Sequence, residues 1–457
     1  MQSGSEMITV RHRSRKREKV SDGEQKKPSV DIISALPDDI ICRILYCLTT
    51  KQSVATSILA RRWRYLWTYV SKLSFGIDMY DLSVGFKDIV NKVILLHKLQ
   101  SINKFQLYED SDSECSEYEI ESWITTAINR NVRYLDLDFN PESSIKLPQC
   151  LFTCKTLVDV SLNCCGGIPS GSNAAIYLPN LKKLLLQEVD YEDEEALPNL
   201  LSGCPVLEEL IVIGDLLGRL NISSPAIKRL KVNIPFDSSD FGHPGYMVII
   251  NAPALIYLKV RGCSYEHISI SSITTSLVEV DIRLNIYTVD ADDYFYTRCH
   301  MLRFLNSIRS MKKLILVGRV EEFIEFAVVD SNVKFNNLIK LELTADWQFL
   351  PMLIERSDKL EVLIIREGYK CLSNGIEPVR NRCACLQYSL RSVTIHEFGC
   401  TEEELNAVEY ILRNAQVLKT MLINYRPIGL SFGARFDALQ KISSFHRLSR
   451  ECELVFS

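Results

Sequence analysis

The side chains able to do covalent or metal chemistry are plentiful in this sequence but poorly placed for it. Fifteen cysteines and seven histidines are scattered over 457 residues. A structural zinc site needs two closely spaced ligand pairs. Here Cys150/Cys154, Cys164/Cys165 and Cys383/Cys385 stand near one another, no C-x-x-C occurs, and no second pair completes a tetrahedron. His396, Glu397 and Cys400 bring base and nucleophile types together, but read better as a loop after a strand than as a Cys–His dyad. No HExxH, GxSxG or glycine-rich phosphate loop is present. The expectation is therefore a chain with no catalytic residue, no metal and no cofactor.

Binding chemistry is better represented. Arg229 and Lys231 alternate in one short segment, Tyr257, Lys259 and Arg261 in the next, and Glu279, Asp281 and Arg283 in a third. Alternate residues of a strand share a face, and neighbouring strands lie about 4.8 Å apart. Arg229, Lys231, Lys259, Arg261 and Arg283, with Tyr257, are thus expected to form one basic patch on a concave face. Arginine pairs bidentately with carboxylate and phosphate, so the patch would suit an acidic or phosphorylated segment. Glu279 and Asp281 would neutralise part of it. Earlier segments offer Asp136, Asp138 and Asp159, with Leu185, Ile211 and Ile213 between. The alternative is ordinary solvated charge on an inner face.

These residues are positioned by a repeat. The six-residue pattern apolar-x-x-apolar-x-apolar recurs thirteen times, from INKFQL at Ile102 to LKTMLI at Leu418, at intervals of 20 to 34 residues. The mean of about 26 falls within the 20–29-residue period of leucine-rich repeats. Each unit reads as a one-sided strand that cannot bury its apolar face alone, so stacked units must share a core. The closing Asn/Cys position is filled at Asn140, Cys165, Cys263 and Asn285 only. Near the C-terminus Thr401 and Glu404 form a capping box before the apolar face Leu405, Val408, Ile411 and Leu412. A helix through Leu439, Ile442 and Leu448 and a last strand in CELVFS would close the array.

Ahead of the repeats, Asp38 and Asp39 after Pro37 suit a helix start. Ile40, Ile41, Ile44, Leu45 and Leu48 follow at helical spacing, then Val54, Ala55, Ile58, Leu59, Trp63, Leu66 and Trp67. The spacing predicts helices over 37–48 and 51–68. A module of about 45 residues buries little surface, and this apolar set exceeds what it can hide, so one face is expected to dock a partner. Residues 1–30 read as a disordered arm whose basic run, Arg11–Lys19, is either solvated or an import or nucleic-acid contact.

Composition narrows the rest. Hydrophobic residues at 47% and charged residues at 24% fit a folded chain, and a net charge of −4 argues against a nucleic-acid partner. No secretory signal and no run of 18 apolar residues is found, so no membrane association is expected and the compartment is read as cytoplasmic and/or nuclear.

Residues 31–75 resemble a plant F-box, on Leu36-Pro37, Ile40-Ile41, Ile44-Leu45, the stretch Ser53–Leu59, and RWRYLW from Arg62 to Trp67. Residues 177–212 are similar to the repeats that follow the F-box in the plant F-box/FBD/LRR-repeat family. EEELNAVEYILRNAQVLKTMLI and the ending CELVF resemble its FBD domain. The resemblance implies an α/β leucine-rich-repeat solenoid, a horseshoe, with a small helical F-box at one end and an FBD closing the other. The expected organisation is 1–30 arm, 31–77 F-box, 100–382 repeats and 383–457 FBD. It further implies the substrate-recognition subunit of an SCF-type E3 ubiquitin ligase, held by a Skp-type adaptor and through it by cullin. The adaptor-binding residues would be Leu36, Pro37, Ile40, Ile41, Leu45, Val54, Leu59, Trp63, Leu66 and Trp67, and the repeats would hold an unknown protein substrate. The alternatives are an F-box receptor for a small molecule such as a hormone or inositol phosphate, and an F-box scaffold without ubiquitin transfer.

Overall fold

In all thirteen units the leading apolar residue, from Ile102 to Leu418, is buried. So are the two that follow at alternate positions, from Phe105 and Leu107 to Met421 and Ile423. At roughly 1.5–3 kcal/mol per buried leucine, stacking is what makes each unit stable. The computed structural model describes residues 33, 35–76, 85–109, 115–141, 145–170, 175–214, 219–234, 247–262, 268–270, 276–283, 304, 306–317, 333–344, 350–366 and 383–457. The arm at 1–30 lies outside them, as do Cys263 and Asn285.

The described strands, from Lys72–Phe75 to Glu453–Phe456, form a fifteen-stranded sheet whose pairings are parallel throughout. The sheet thus begins at Lys72, one strand ahead of the first six-residue unit. Like residues stand side by side: Leu184 by Leu210, Leu210 by Leu230, Leu230 by Leu258. One carbonyl per rung sets this register. The carbonyl of the residue after each leading apolar position accepts two consecutive N–H groups of the next unit, using both lone pairs. Asn103 receives Arg133 and Tyr134, Arg133 receives Val158 and Asp159, and the ladder continues to Arg391, which receives Lys419 and Thr420.

A second, three-stranded sheet lines the return side of the middle units: Arg219–Ser223, Met247–Asn251 and Ile268–Ile270. The repeat pattern does not predict it. The unit from Leu207 to Ile227 is only 20 residues long. An extended return advances about 3.3 Å per residue, against about 1.5 Å for a helix, so strand Arg219–Ser223 lets these few residues span that unit. Elsewhere the return carries helices, among them Glu117–Asn129, Ala196–Ser202, Leu350–Glu355 and Ala384–Tyr388. Leu220, Ile222, Val248 and Ile250 join the same core as the main strands, a cluster running from Trp67 to Cys452.

At the C-terminal end the capping box forms: Thr401 Oγ1 accepts from the Glu404 N–H, and the buried Glu404 carboxylate accepts from the N–H groups of Thr401 and Gly399. Leu405, Val408, Ile411 and Leu412 of helix Glu402–Asn414 face the core. Helix Phe432–Ser444 buries Ala438 and Ile442 in the core, while Leu439 and, beyond the helix, Leu448 remain partly exposed. It also lies against helix Glu402–Asn414, where Lys441 pairs with Glu402 at 3.0 Å.

Candidate functional site

Two surfaces hold the residues singled out from the sequence: a helix cluster at the N-terminal end, and the face of the large sheet turned away from the shared core.

Helix Asp38–Tyr46 starts one residue after Pro37, whose carbonyl accepts the first bonds from Ile40 and Ile41, with Asp38 and Asp39 complementing the positive helix end. The second expected helix is broken. It runs as α-helix Thr50–Ala55, capped by the Thr49/Gln52 box, then as 3-10 turns at Thr56–Ile58 and Arg61–Tyr69, with Ala60 extended between them. Ser53 and Thr56 divert hydroxyls to the carbonyls of Leu45 and Ser53, which suits short turns better than a long helix.

This break sorts the ten expected adaptor-binding residues. Ile41, Leu45, Trp63 and Leu66 form a small buried core with Val70, and Leu36 packs against it. Trp67 is buried in the large core, and half-buried Val54 rests on it. Pro37, Ile40 and Leu59 face outward, Leu59 being 66% exposed. Exposed beside them are Ile44, Ile58 (88%), Tyr65 and Tyr69, which were not among those ten. The outward side of the cluster therefore carries isoleucine, leucine and tyrosine, and the buried set supports its shape.

The cluster is continuous with the sheet. Thr50 Oγ1 accepts from the Ser74 N–H at 2.8 Å in a buried setting, Asn103 Nδ2 donates to the Tyr46 hydroxyl at 3.0 Å, and the Ser71 carbonyl receives Asn103 and Lys104 as the first step of the carbonyl ladder.

On the open face, register brings the expected substrate residues together. Arg229 is beside Tyr257, Lys231 beside Lys259, and Arg261 beside Arg283. Most of their charge is already matched. Lys231 pairs with Glu209 at 2.9 Å; burial would raise the Glu209 carboxyl, but this ammonium outweighs it and holds it below the usual range. Lys259 and Arg283 converge on Asp281 at 3.1 and 3.3 Å, and Asp281 is buried. Lys313 takes Glu279 at 2.6 Å, and the Arg229 guanidinium lies 4.5 Å from the Tyr257 ring centroid. The basic patch is thus a ladder of ion pairs, cross-strand except for Arg283–Asp281 within one strand, with Arg229 as a cation–π cover.

The acidic end differs. Asp136 accepts from the Tyr108 hydroxyl at 2.6 Å and from Gln106, and Asp138 accepts from Asn163. Burial raises the carboxyls of Asp138 and Asp159, the second despite Lys183 nearby. Leu185, Ile211 and Ile213 separate this end from Lys231, each half-buried.

Burial and then Glu404 push the Cys400 thiol up, away from a thiolate, and His396 Nδ1 faces Asn424 at 3.0 Å. Among the described residues no three His, Cys, Asp or Glu side chains gather to hold a metal ion, every cysteine is free of disulfides, and no helix is long and apolar enough to cross a membrane.

Family models match at residues 33–75 (F-box domain), 120–281 (FBD-associated F-box protein At5g56370, LRR repeats) and 377–423 (FBD). The sequence is similar to three proteins of Arabidopsis thaliana. It is 30% identical over 454 residues to F-box/FBD/LRR-repeat protein At4g00160, spanning 93% of this chain and 94% of that one. It is 28% identical over 445 residues to F-box/FBD/LRR-repeat protein At5g56420, spanning 93% and 99%. It is 32% identical over 374 residues to F-box/LRR-repeat protein At4g14103, spanning 75% and 94%.

Proposed function

Because the chain belongs to the plant F-box/FBD/LRR-repeat protein family, we propose that it is the substrate-recognition subunit of an SCF-type E3 ubiquitin ligase. Its helix cluster docks on a Skp-type adaptor and through it on cullin, and the open face of its sheet holds a protein substrate. The observation that carries this reading is the outer stripe Ile40, Ile44, Ile58 and Leu59, apolar and exposed on a cluster whose inner residues are otherwise well packed. An F-box substrate adaptor carries no chemistry of its own, and the raised Cys400 thiol is consistent with that role.

The test is co-purification of adaptor and cullin with the full chain. Leu59→Asp, at an exposed position, is expected to abolish capture while thermal unfolding stays unchanged. Undiminished capture by that variant would sink the reading. Ubiquitin transfer is tested separately, by whether proteins proximity-labelled by the chain accumulate when residues 31–77 are deleted.

A further inference from the structure

We propose that the adaptor-docking surface extends past the F-box onto the end of the helix Phe86–Leu96, through Leu95, Leu96 and Lys98; this rests on the reading of the helix cluster as adaptor-binding. The helix has its own reason to fold, since Phe86, Val90 and Val93 enter the shared core. Its last turn does something else. Leu95 is 83% exposed and Leu96 46% exposed, on the side not needed for packing.

This turn lies against the docking cluster. The Lys98 N–H donates to the Thr68 carbonyl at 3.0 Å. The Lys98 ammonium stands 5.3 Å from the Tyr69 ring and 5.8 Å from the Tyr65 ring. The Arg64 guanidinium lies 5.6 Å from Tyr65, and the Ser57 hydroxyl donates to the Arg64 carbonyl at 3.2 Å, which brings the neighbouring Ile58 and Leu59 alongside. These contacts join Lys98, Tyr65 and Tyr69 directly; the exposed Ile58 and Leu59 follow Ser57 in the chain, the exposed Leu95 and Leu96 precede Lys98 by three and two residues, and together these residues make up the band.

The border of the band identifies its occupant. Arg61, Arg64, Lys92 and Lys98 are all exposed along it. A matching surface must carry apolar side chains flanked by carboxylates. The band is continuous with the docking stripe, so the occupant is a further segment of the same adaptor. Lys98, spread over two tyrosine rings, presents them as a pre-ordered platform, which lowers the ordering cost of binding.

The experiment is calorimetric titration of the full chain with a purified Skp-type adaptor, with melting curves to verify folding. Leu95→Asp is expected to weaken binding about 10-fold or more, and Lys98→Glu to weaken it several-fold with a shallower salt dependence. Leu95→Ser serves in place of Leu95→Asp if the latter lowers the melting temperature. Wild-type affinity in the Leu95 and Lys98 variants, with binding lost in Leu59→Asp, overturns the extension and leaves the F-box reading standing. Absence of binding by the unmodified chain overturns both.

Discussion

Arg130 donates from Nη1 to His97 Nδ1 at 3.2 Å, and this fixes the state of the imidazole. Arginine can only donate, so Nδ1 carries no proton. Nε2 faces the Val70 carbonyl at 2.8 Å, which can only accept, so Nε2 bears the hydrogen. A neutral histidine therefore links the F-box residue Val70 to Arg130, which follows helix Glu117–Asn129 of the array. Arg130 also reaches the Ile94 carbonyl near the end of helix Phe86–Leu96.

The linkage makes stability pH-dependent. Burial, aided by the Arg130 charge, outweighs the backbone bonds and holds the His97 pKa below its usual value. Folded His97 therefore refuses protons that the unfolded chain accepts. Its contribution is complete above about pH 6.5 and is lost as pH falls through the lower folded pKa. The melting temperature is expected to drop more between pH 7 and pH 5 in the unmodified chain than in His97→Gln. Equal drops would place the sensitivity elsewhere.

Leu184 and Leu258 occupy equivalent rungs with almost no exposure. Leu258→Asp or Leu184→Asp puts a charge in a core that neighbouring units share. The expected loss exceeds about 4 kcal/mol, at the severe end for single substitutions, with global rather than local unfolding in hydrogen exchange. Protection lost only within one unit would contradict a shared core.

Gly262 leaves the strand Tyr257–Arg261 at φ +79°, and a Cβ there would stand 1.6 Å from the Ile234 carbonyl oxygen. Both the backbone conformation and the space exclude a side chain. Gly262→Ala is expected to cost at least ~2 kcal/mol in denaturant unfolding. A neutral result would mean that the two rungs can part at that point without penalty.

Asp281 holds Lys259 and Arg283 together. Asp281→Asn leaves two partly buried cations facing each other, and a loss of about 1–3 kcal/mol follows. Lys259→Met in that background should recover part of the loss. Additive effects in the double-mutant cycle would show that the pair contributes nothing to the fold.

The array was legible because its physics is local. Three apolar positions per unit suffice to mark strand, inner face and stacking, and each of the thirteen leading residues is buried. The return strands around Leu220, Val248 and Ile268 were not legible, because they alternate without the leading apolar residue that marks a main strand. The F-box shows a different limit. Ile40 and Ile44 lie one residue from Ile41 and Leu45, so two parallel stripes on one helix look alike until packing decides which faces in. On the open face, the pairing of Lys259 with Asp281 was implicit in the alternation, but whether the charges would cancel depended on register between strands.

The carbonyl ladder, starting at Ser71 in the F-box region, also gives the molecule a scale of length. Each rung adds about 4.8 Å, so Lys231, on the seventh strand in sheet order, stands roughly 30 Å along the array from the first. On the proposed function, with the helix cluster bonded to that first rung, a protein held at a given strand would keep a set distance from the adaptor. Gain or loss of one whole unit would then move cargo by one fixed increment without altering the surface that grips it, and the array would work as a ruler whose graduations are its strands.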